Sequence, residues 1–231
     1  MERSKKVFSL NVIKNRVENL KLIIPIILKQ CDLLYVNCIG HKINTKDEGL
    51  NFLENEKIIL EHLSSGGSET RFLHYNKHPN DTYYFTIDDD ILYPDNYADE
   101  LILKMEKYQN KGLCCVHGSI LNLTLEKDFY KKRKQLFHFR YELKEDEPVT
   151  IPGVGTTCFY TPNFKLNIDD FKTKNMSDPY VASFAHKQGV KVFSIKRDKN
   201  WLTPLNEYGS RIYGNNPHRE IDALIIKTFK Q

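Results

Sequence analysis

The sequence lacks the marks of several common function classes. Its five cysteines, Cys31, Cys38, Cys114, Cys115 and Cys158, contain no C-x-x-C pair. Their odd number, and the apolar runs around three of them, read as small buried thiols rather than a disulfide framework or a zinc site. There is no glycine-rich Walker-type phosphate loop and no His-rich ligand spacing of the kind many metallohydrolases carry. The longest apolar segment, Leu22 to Leu28, contains Pro25 and is far too short to span a bilayer. The N-terminus, Met1-Glu2-Arg3-Ser4-Lys5-Lys6, leads straight into a strand-like run without a signal-peptide core. These absences set the expectation of a soluble, cytoplasmic protein, with peripheral contact at the inner face of a membrane left open. Strong charge of one sign is also missing. The net charge is +4, with both signs dispersed, which is too mild for a nucleic-acid partner. Lys131-Lys132-Arg133-Lys134 is a local basic run. It reads first as a solvated face, with a phosphate-rich substrate or an anionic surface as the functional alternative.

What is present is a globular composition. The 231 residues are 40% hydrophobic and 12% aromatic, enough for one substantial core. The periodicity predicts a strand over 6–13, a helix over 15–30 bent at Pro25, and a strand over 32–38. A helix over 50–63 and a short strand over 71–75 follow. Strands are expected over 82–87, 113–117, 151–161 and 190–195. Helices are expected over 96–109, 175–188 and 219–229, with Gly189 stopping the second of these. The charged stretch 120–150 has no clear period. Strand–helix–strand alternation implies an α/β fold with a mostly parallel central sheet, whose ligands bind at the carboxyl ends of strands.

One such end carries the strongest chemical signal. The apolar run Tyr83-Tyr84-Phe85-Thr86-Ile87 breaks into Asp88-Asp89-Asp90 and then turns apolar again at Ile91. Three adjacent carboxylates repel one another, and burying them is costly unless a cation or strong donors neutralise them. A hard ion, Mn²⁺ or Mg²⁺, shared with phosphate oxygens meets that need. The bland reading, an acidic cap on the helix that follows Pro94, accounts for one or two of the aspartates but not three.

Phe85 to Ile91 resembles the Asp-x-Asp strand end of nucleotide-sugar-dependent glycosyltransferases of the GT-A fold. Three further segments, in the same order, are similar to bacterial family-2-like members of that group. They are Phe8 to Arg16 with its helix and the strand Leu33 to Asn37, then Gly153-Val154-Gly155-Thr156-Thr157, then Asn175-Met176-Ser177-Asp178. The likeness covers about residues 6–202. It implies a single GT-A domain over 1–231, with a nucleotide-sugar half at about 6–119 and an acceptor half and tail at about 120–231.

The resemblance also implies roles. Asp88 and Asp90 match the pair that holds Mn²⁺ or Mg²⁺ against the diphosphate of a UDP- or GDP-sugar, and Asp89 matches the middle position. Arg16 and Asn37 fall where the nucleotide is bound; Asn11, Lys14 and Arg71 are weaker candidates there. His218 is a candidate third metal ligand from the C-terminal region. Asp178 is the candidate general base of an inverting transfer to a hydroxyl of a glycan or lipid-linked acceptor, as in surface polysaccharide or glycoconjugate synthesis. Many family members carry Glu-Asp where this chain has Ser177-Asp178, so only the aspartate carries over. Its bland alternative is a helix cap. His117 and Trp201 are acceptor-side candidates, with packing as the alternative for both. Two rivals stand beside this reading: a nucleotidyltransferase of similar build, and a glycan-binding module without catalysis.

Overall fold

The computed structural model describes residues 3–46, 49–205 and 218–230. The strands are β1 (Lys5–Val12), β2 (Leu33–Ile39), β3 (Ile58–Leu63), β4 (Thr82–Ile87), β5 (Ile91–Leu92), β6 (Gly112–Cys115), β7 (Gly118–Ile120), β8 (Gln135–Phe137), β9 (Glu147–Pro148), β10 (Ile151–Pro152), β11 (Thr156–Tyr160), β12 (Lys191–Ser194) and β13 (Thr203–Pro204). The helices are α1 (Leu20–Leu28), α2 (Tyr97–Lys107), α3 (Ser177–Lys187) and α4 (His218–Phe229). Eight strands form the central sheet in the order β3-β2-β1-β4-β11-β6-β12-β9. The β3-β2-β1-β4 block is parallel, as is the β6–β12 pair, while β11 runs antiparallel to both neighbours. The expected α/β fold with a mostly parallel sheet is therefore present.

Alternation along the strands divides the core. Phe8, Leu10, Val12, Phe85 and Ile87 pack with Leu20, Ile23, Ile24 and Ile27 of α1 and Tyr97, Leu101 and Met105 of α2. Val7, Tyr35 and Tyr84 point the other way, onto Phe72, Tyr75, Phe159 and Val181. That second face grades from apolar to polar along the strands. Val7 pairs with Tyr84, then Ser9 with Tyr35 and Thr86, then Asn11 with Asn37. The polar end lies at the carboxyl edge, where β4 delivers Asp88. A third cluster joins Tyr180 and Ala182 of α3, Ile221 and Ile225 of α4, and Phe129 and Tyr130.

Several local expectations are corrected. Residues 50–63 form a short 3-10 turn, Asn51–Glu54, and then β3 rather than a helix. Parallel pairing with β2 over six rungs overrides the local helical pattern. Residues 71–75 lie within and between the 3-10 turns Ser68–Phe72 and Tyr75–Lys77, not in a strand. Phe72 and Tyr75 are buried there as core plugs. The strand expected over 151–161 is broken by Gly153-Val154-Gly155 into β10 and β11. The stretch 120–150 contributes β8 and β9, each two or three residues long. Pro25 lies inside α1, sixth of its nine residues, where it removes one intrahelical hydrogen bond, and the 3-10 segment Lys14–Asn19 precedes the helix. All five cysteines are free and buried, as expected. Among the described residues, no helix is long and apolar enough to cross a membrane.

Candidate active site

The acidic tip is partly neutralised by two arginines from distant parts of the chain. Arg16, just beyond the end of β1, reaches Asp89 at 2.7 Å and Asp90 at 2.9 Å through one guanidinium nitrogen. Arg71, from the 3-10 turn after Gly67, pairs with Asp88 and donates through Nε to the Ile87 carbonyl at 3.0 Å. Asp89 points inward. Its carboxylate also accepts from the Ile13 amide at 3.1 Å, and its own carbonyl accepts from the Asn19 side chain at 2.7 Å. It thus ties the ends of β1 and β4 together. Asp88 and Asp90 keep 30 and 31% of their side chains open.

The balance is uneven, with three carboxylates against two guanidinium groups. Burial and then the neighbouring Asp88 charge push the Asp90 carboxyl up to about 6. Burial also raises Asp89, although Arg16 pulls it back. Burial works against the charge on Arg16 and Arg71, yet the aspartates hold both pKa values above the ordinary arginine value. The tip retains one uncompensated negative charge at its open end.

Two cavities meet at this tip. One, of about 420 Å³, is lined by Asn11, Ile13, Arg16, Gly66, Gly67 and the three aspartates. The other, of about 440 Å³, is lined by His117, Tyr130, Arg133, Val154, Gly155 and Asp178. Asp88, Arg71, Ser68 and Asn175 line both. The shared wall is stapled. Asn175, at a left-handed φ of 59°, accepts from the Ser68 amide at 3.0 Å, and its own amide donates to Glu69 at 3.0 Å. Glycine is required at 67 because a Cβ there would meet the Asn175 backbone nitrogen at 2.8 Å.

Asp178 lies in the first turn of α3, but its side chain does not cap that helix. One carboxylate oxygen accepts from the Val154 amide at 3.0 Å and the other from the Tyr130 hydroxyl at 2.8 Å. Both oxygens are therefore aimed at the cavity wall formed by 130 and 153–155. Burial raises the Asp178 pKa, with Val154 and Tyr130 opposing that rise. Across the cavity, His117 is pushed down to about 3 and His138 to about 4, each mainly by burial, so both imidazoles are neutral near pH 7.

The remaining sequence candidates fall as follows. Asn11 lines the first cavity, and its side-chain amide donates to the Gly67 carbonyl at 2.9 Å. Asn37 is fully buried behind it, within 3.2 Å of the Asn11 side-chain oxygen and 3.3 Å of the Thr70 carbonyl. Two positions before Asn37 in β2, Tyr35 is core, stacked on His74 at 4.0 Å. Trp201 packs against Tyr97 and the main core and lines neither cavity. His218 opens α4 and also lines neither cavity. Residues 206–217, which include the Asn216-Pro217 lead-in to it, lie outside the described residues. Tyr130 was not singled out from sequence, and Arg133 was named only within the basic run 131–134, read first as a solvated face. Their signal was an aromatic residue three positions before an arginine inside the basic run. Gly66-Gly67-Ser68 forms part of the wall of the first cavity.

Among the described residues, no three His, Cys, Asp or Glu side chains converge on one cation position. The open pair Asp88 and Asp90 nevertheless fits a hard divalent ion. Such ions use one or two carboxylates and complete their shell with water and substrate phosphate, and the uncompensated charge at Asp90 supplies the attraction.

No protein-family model matches the chain, and no curated protein matches its sequence. Solved structures do match its fold. GalNAc-T7 with UDP, GalNAc and Mn²⁺ superimposes with a TM-score of 0.69 at 8% identity, over 98% of this chain and 48% of that one. S. aureus TarS 1–349 with UDP-GlcNAc gives 0.63 at 11% identity, over 97% of this chain and 67% of that one. The chain thus spans about half the length of the first structure and two thirds of the second. A likeness at this level of identity establishes architecture, and the architecture of this chain is the GT-A fold.

Proposed function

We propose that this chain is a glycosyltransferase that moves a sugar from a UDP- or GDP-sugar to a hydroxyl of a glycan or lipid-linked acceptor, with inversion. The observation that carries this reading is the pair of cavities meeting at Asp88 and Arg71, one ending in an acidic tip and the other in Asp178. The first cavity takes the nucleotide diphosphate. Asn11, held by Asn37 behind it, faces the nucleotide, and Arg16 and Arg71 offer guanidinium donors toward the phosphates. Asp88 and Asp90 would hold Mn²⁺ or Mg²⁺, which offsets the charge that builds on the leaving diphosphate. The structural neighbours bound to UDP and to UDP-GlcNAc, one of them with Mn²⁺, support this assignment.

The second cavity takes the acceptor. The acceptor hydroxyl gives its proton to Asp178 as its oxygen bonds to the anomeric carbon. The bond from that carbon to the diphosphate oxygen breaks, and its electron pair leaves with the diphosphate. Val154 and Tyr130 fix the carboxylate, so little reorganisation is needed at that moment.

A thermal-shift screen of nucleotide sugars with and without Mn²⁺ tests the reading. A donor at about 100 times its Kd stabilises the fold by about 2.7 kcal/mol. A metal-dependent rise in melting temperature with one UDP- or GDP-sugar is expected; no response to any of them would sink the proposal.

Two substitutions probe the halves of the site. A Cβ at Gly155 would collide with the Asp88 carboxylate, which Arg71 holds, while the Tyr93 hydroxyl accepts from the Asp88 backbone amide and donates to the Gly155 carbonyl. Gly155→Ala is therefore expected to keep the fold and weaken Mn²⁺-dependent UDP binding about tenfold, or about 1.4 kcal/mol. Tyr130→Phe removes a hydrogen bond that lowers the Asp178 pKa. The charged groups facing Asp178 are then Asp88 and Arg71, with the Val154 amide as its remaining donor. The acid limb of the turnover profile should move to higher pH, with donor affinity unchanged. An unmoved limb would mean that Tyr130 only packs.

A further inference from the structure

The second cavity has a wall of rings that the transfer step does not use. His117, His138 and Phe139 all line it. The His117 and His138 rings meet edge to face at 5.1 Å, and His138 stacks on Phe139 at 4.5 Å. Leu136 lines the same cavity and is 41% exposed, so the apolar surface continues toward solvent. The wall is fixed from behind. Buried Arg197 donates to the His138 carbonyl at 3.0 Å, and its other terminal nitrogen donates to the Ser194 hydroxyl at 3.0 Å and the Ile195 carbonyl at 2.9 Å. The His117 amide donates to the Thr156 hydroxyl at 2.9 Å, and the His117 carbonyl accepts from the Gly153 amide at 2.7 Å. Glycine at 153 gives the ring its room, since a Cβ there would come within 2.8 Å of both Cβ and Cδ2 of His117.

His117 is placed firmly but is not satisfied. Its Nδ1 is buried and has no hydrogen-bond partner, whereas Nδ1 of His138 accepts from the Arg140 amide at 3.3 Å. Burial keeps the His117 imidazole neutral, with His138, Arg133 and Arg197 acting in the same direction. A neutral imidazole carries one proton. In the interior a bare lone pair is the less costly group to leave unpaired, because orphaned buried N–H groups are the rarer of the two. The proton therefore belongs on Nε2, next to the Cδ2 that lies against Gly153. The charged groups around the cavity are engaged elsewhere: Arg71 with Asp88, Asp178 with Val154 and Tyr130, and Arg133 over the Tyr130 ring at 3.9 Å. What remains is an uncharged N–H donor set in an apolar wall. A pyranose matches it, with C–H groups on its faces and hydroxyls around its rim.

We propose that the acceptor enters as a pyranose whose C–H face lies on the His117–His138–Phe139 wall, and that His117 Nε2–H selects it by donating to a ring hydroxyl other than the one facing Asp178. His117 is then an acceptor-specificity residue with no part in the proton transfer. This assignment rests on the glycosyl-transfer reading for the role of the cavity. The sugar contact itself is measurable without a donor.

Nitrogen-15 NMR of the full chain labelled at histidine reads the ring directly. At neutral pH His117 is expected to be uncharged with its proton on Nε2. Methyl glycosides of glucose, galactose, mannose and N-acetylglucosamine are the probes, and at least one should move the His117 Nε2 signal. For that glycoside His117→Phe, which keeps a ring and loses the donor, should bind about tenfold more weakly. His117→Gln, which offers an amide donor in nearly the same place, should stay within about threefold of the unmodified chain. A packing role predicts the reverse order, because phenylalanine preserves the ring contacts. A proton on Nδ1, no glycoside that moves the His117 signal, or a His117→Phe variant that binds as the unmodified chain does overturns the proposal. The NMR readings need no variant, so they stand even if His117→Phe fails to fold. UDP titrated into the same sample separates the two ideas. UDP binding without a glycoside response at His117 removes this inference alone. A glycoside response without UDP binding removes the transfer reading and leaves a sugar-binding cavity.

Discussion

Asp178→Asn is expected to cut turnover about 10²–10⁴-fold while donor affinity stays within about twofold. The geometry supports so clean a separation. The asparagine carbonyl can still accept from the Val154 amide, and its amide group can donate to the Tyr130 oxygen. The hydrogen-bonded wall therefore survives, and only the proton acceptor is lost. The first cavity, where the nucleotide is proposed to bind, is not lined by Asp178. Stability gives an independent check. Burial raises the Asp178 pKa in the folded protein above its unfolded value. The folded state then binds more protons, so this group costs stability as pH rises through that window. Asp178→Asn removes a buried charge, and its melting temperature at neutral pH should equal or exceed that of the unmodified chain. Turnover must rise with pH through the same raised pKa, because the base acts only when ionised. A variant with normal turnover would return Asp178 to a structural role.

The parts of this site that local pattern exposes and the parts it hides differ for a physical reason. β4 was legible because a fully buried strand is a continuous apolar run, and Asp88 to Asp90 end it with charge. Asp178 was legible only as an aspartate that opens a helix. The sequence pattern left a helix cap as the alternative, and the structure spends both carboxylate oxygens elsewhere. The need for positive charge at the tip could be reasoned from electrostatics, but its source could not. Arg16 meets Asp89 across 73 residues, and the pairing exists only because β1 and β4 are neighbours in the sheet.

The stretch 120–150 was opaque for a different reason. Its strands are two or three residues long, too short to show a period, and their partners are remote. β9 is placed by pairing with β12, and the Tyr130 to Arg133 wall by Asp222 in α4. The misread helix over 50–63 makes the same point, since its conformation is set by β2 rather than by its own residues. Local pattern thus reveals the strands that frame the first cavity, while the wall of the second is assembled from tertiary contacts.

Asp90→Ala is expected to weaken Mn²⁺- or Mg²⁺-dependent UDP or GDP binding about 100-fold or more, equivalent to about 2.7 kcal/mol. The reason lies in the charge count at the tip. With three carboxylates and two guanidinium groups, one negative charge is left, and it sits at the open end, where Asp90 is raised to about 6 by burial and by Asp88. Removing Asp90 leaves two carboxylates, Asp88 on Arg71 and Asp89 on Arg16, each already paired. No surplus then remains to draw in a divalent cation. The fold should not suffer, because Asp89 and not Asp90 joins the ends of β1 and β4 through Ile13 and Asn19. Calorimetry of UDP with and without Mn²⁺, alongside a melting curve, reads both halves of this expectation. Metal-free nucleotide affinity should be equal in the two proteins or slightly better in the variant, since a phosphate-repelling charge is gone. If Asp90→Ala binds Mn²⁺ and UDP together as the unmodified chain does, the tip is a salt-bridge cluster closed by Arg16 and Arg71, and the diphosphate is neutralised by those arginines alone.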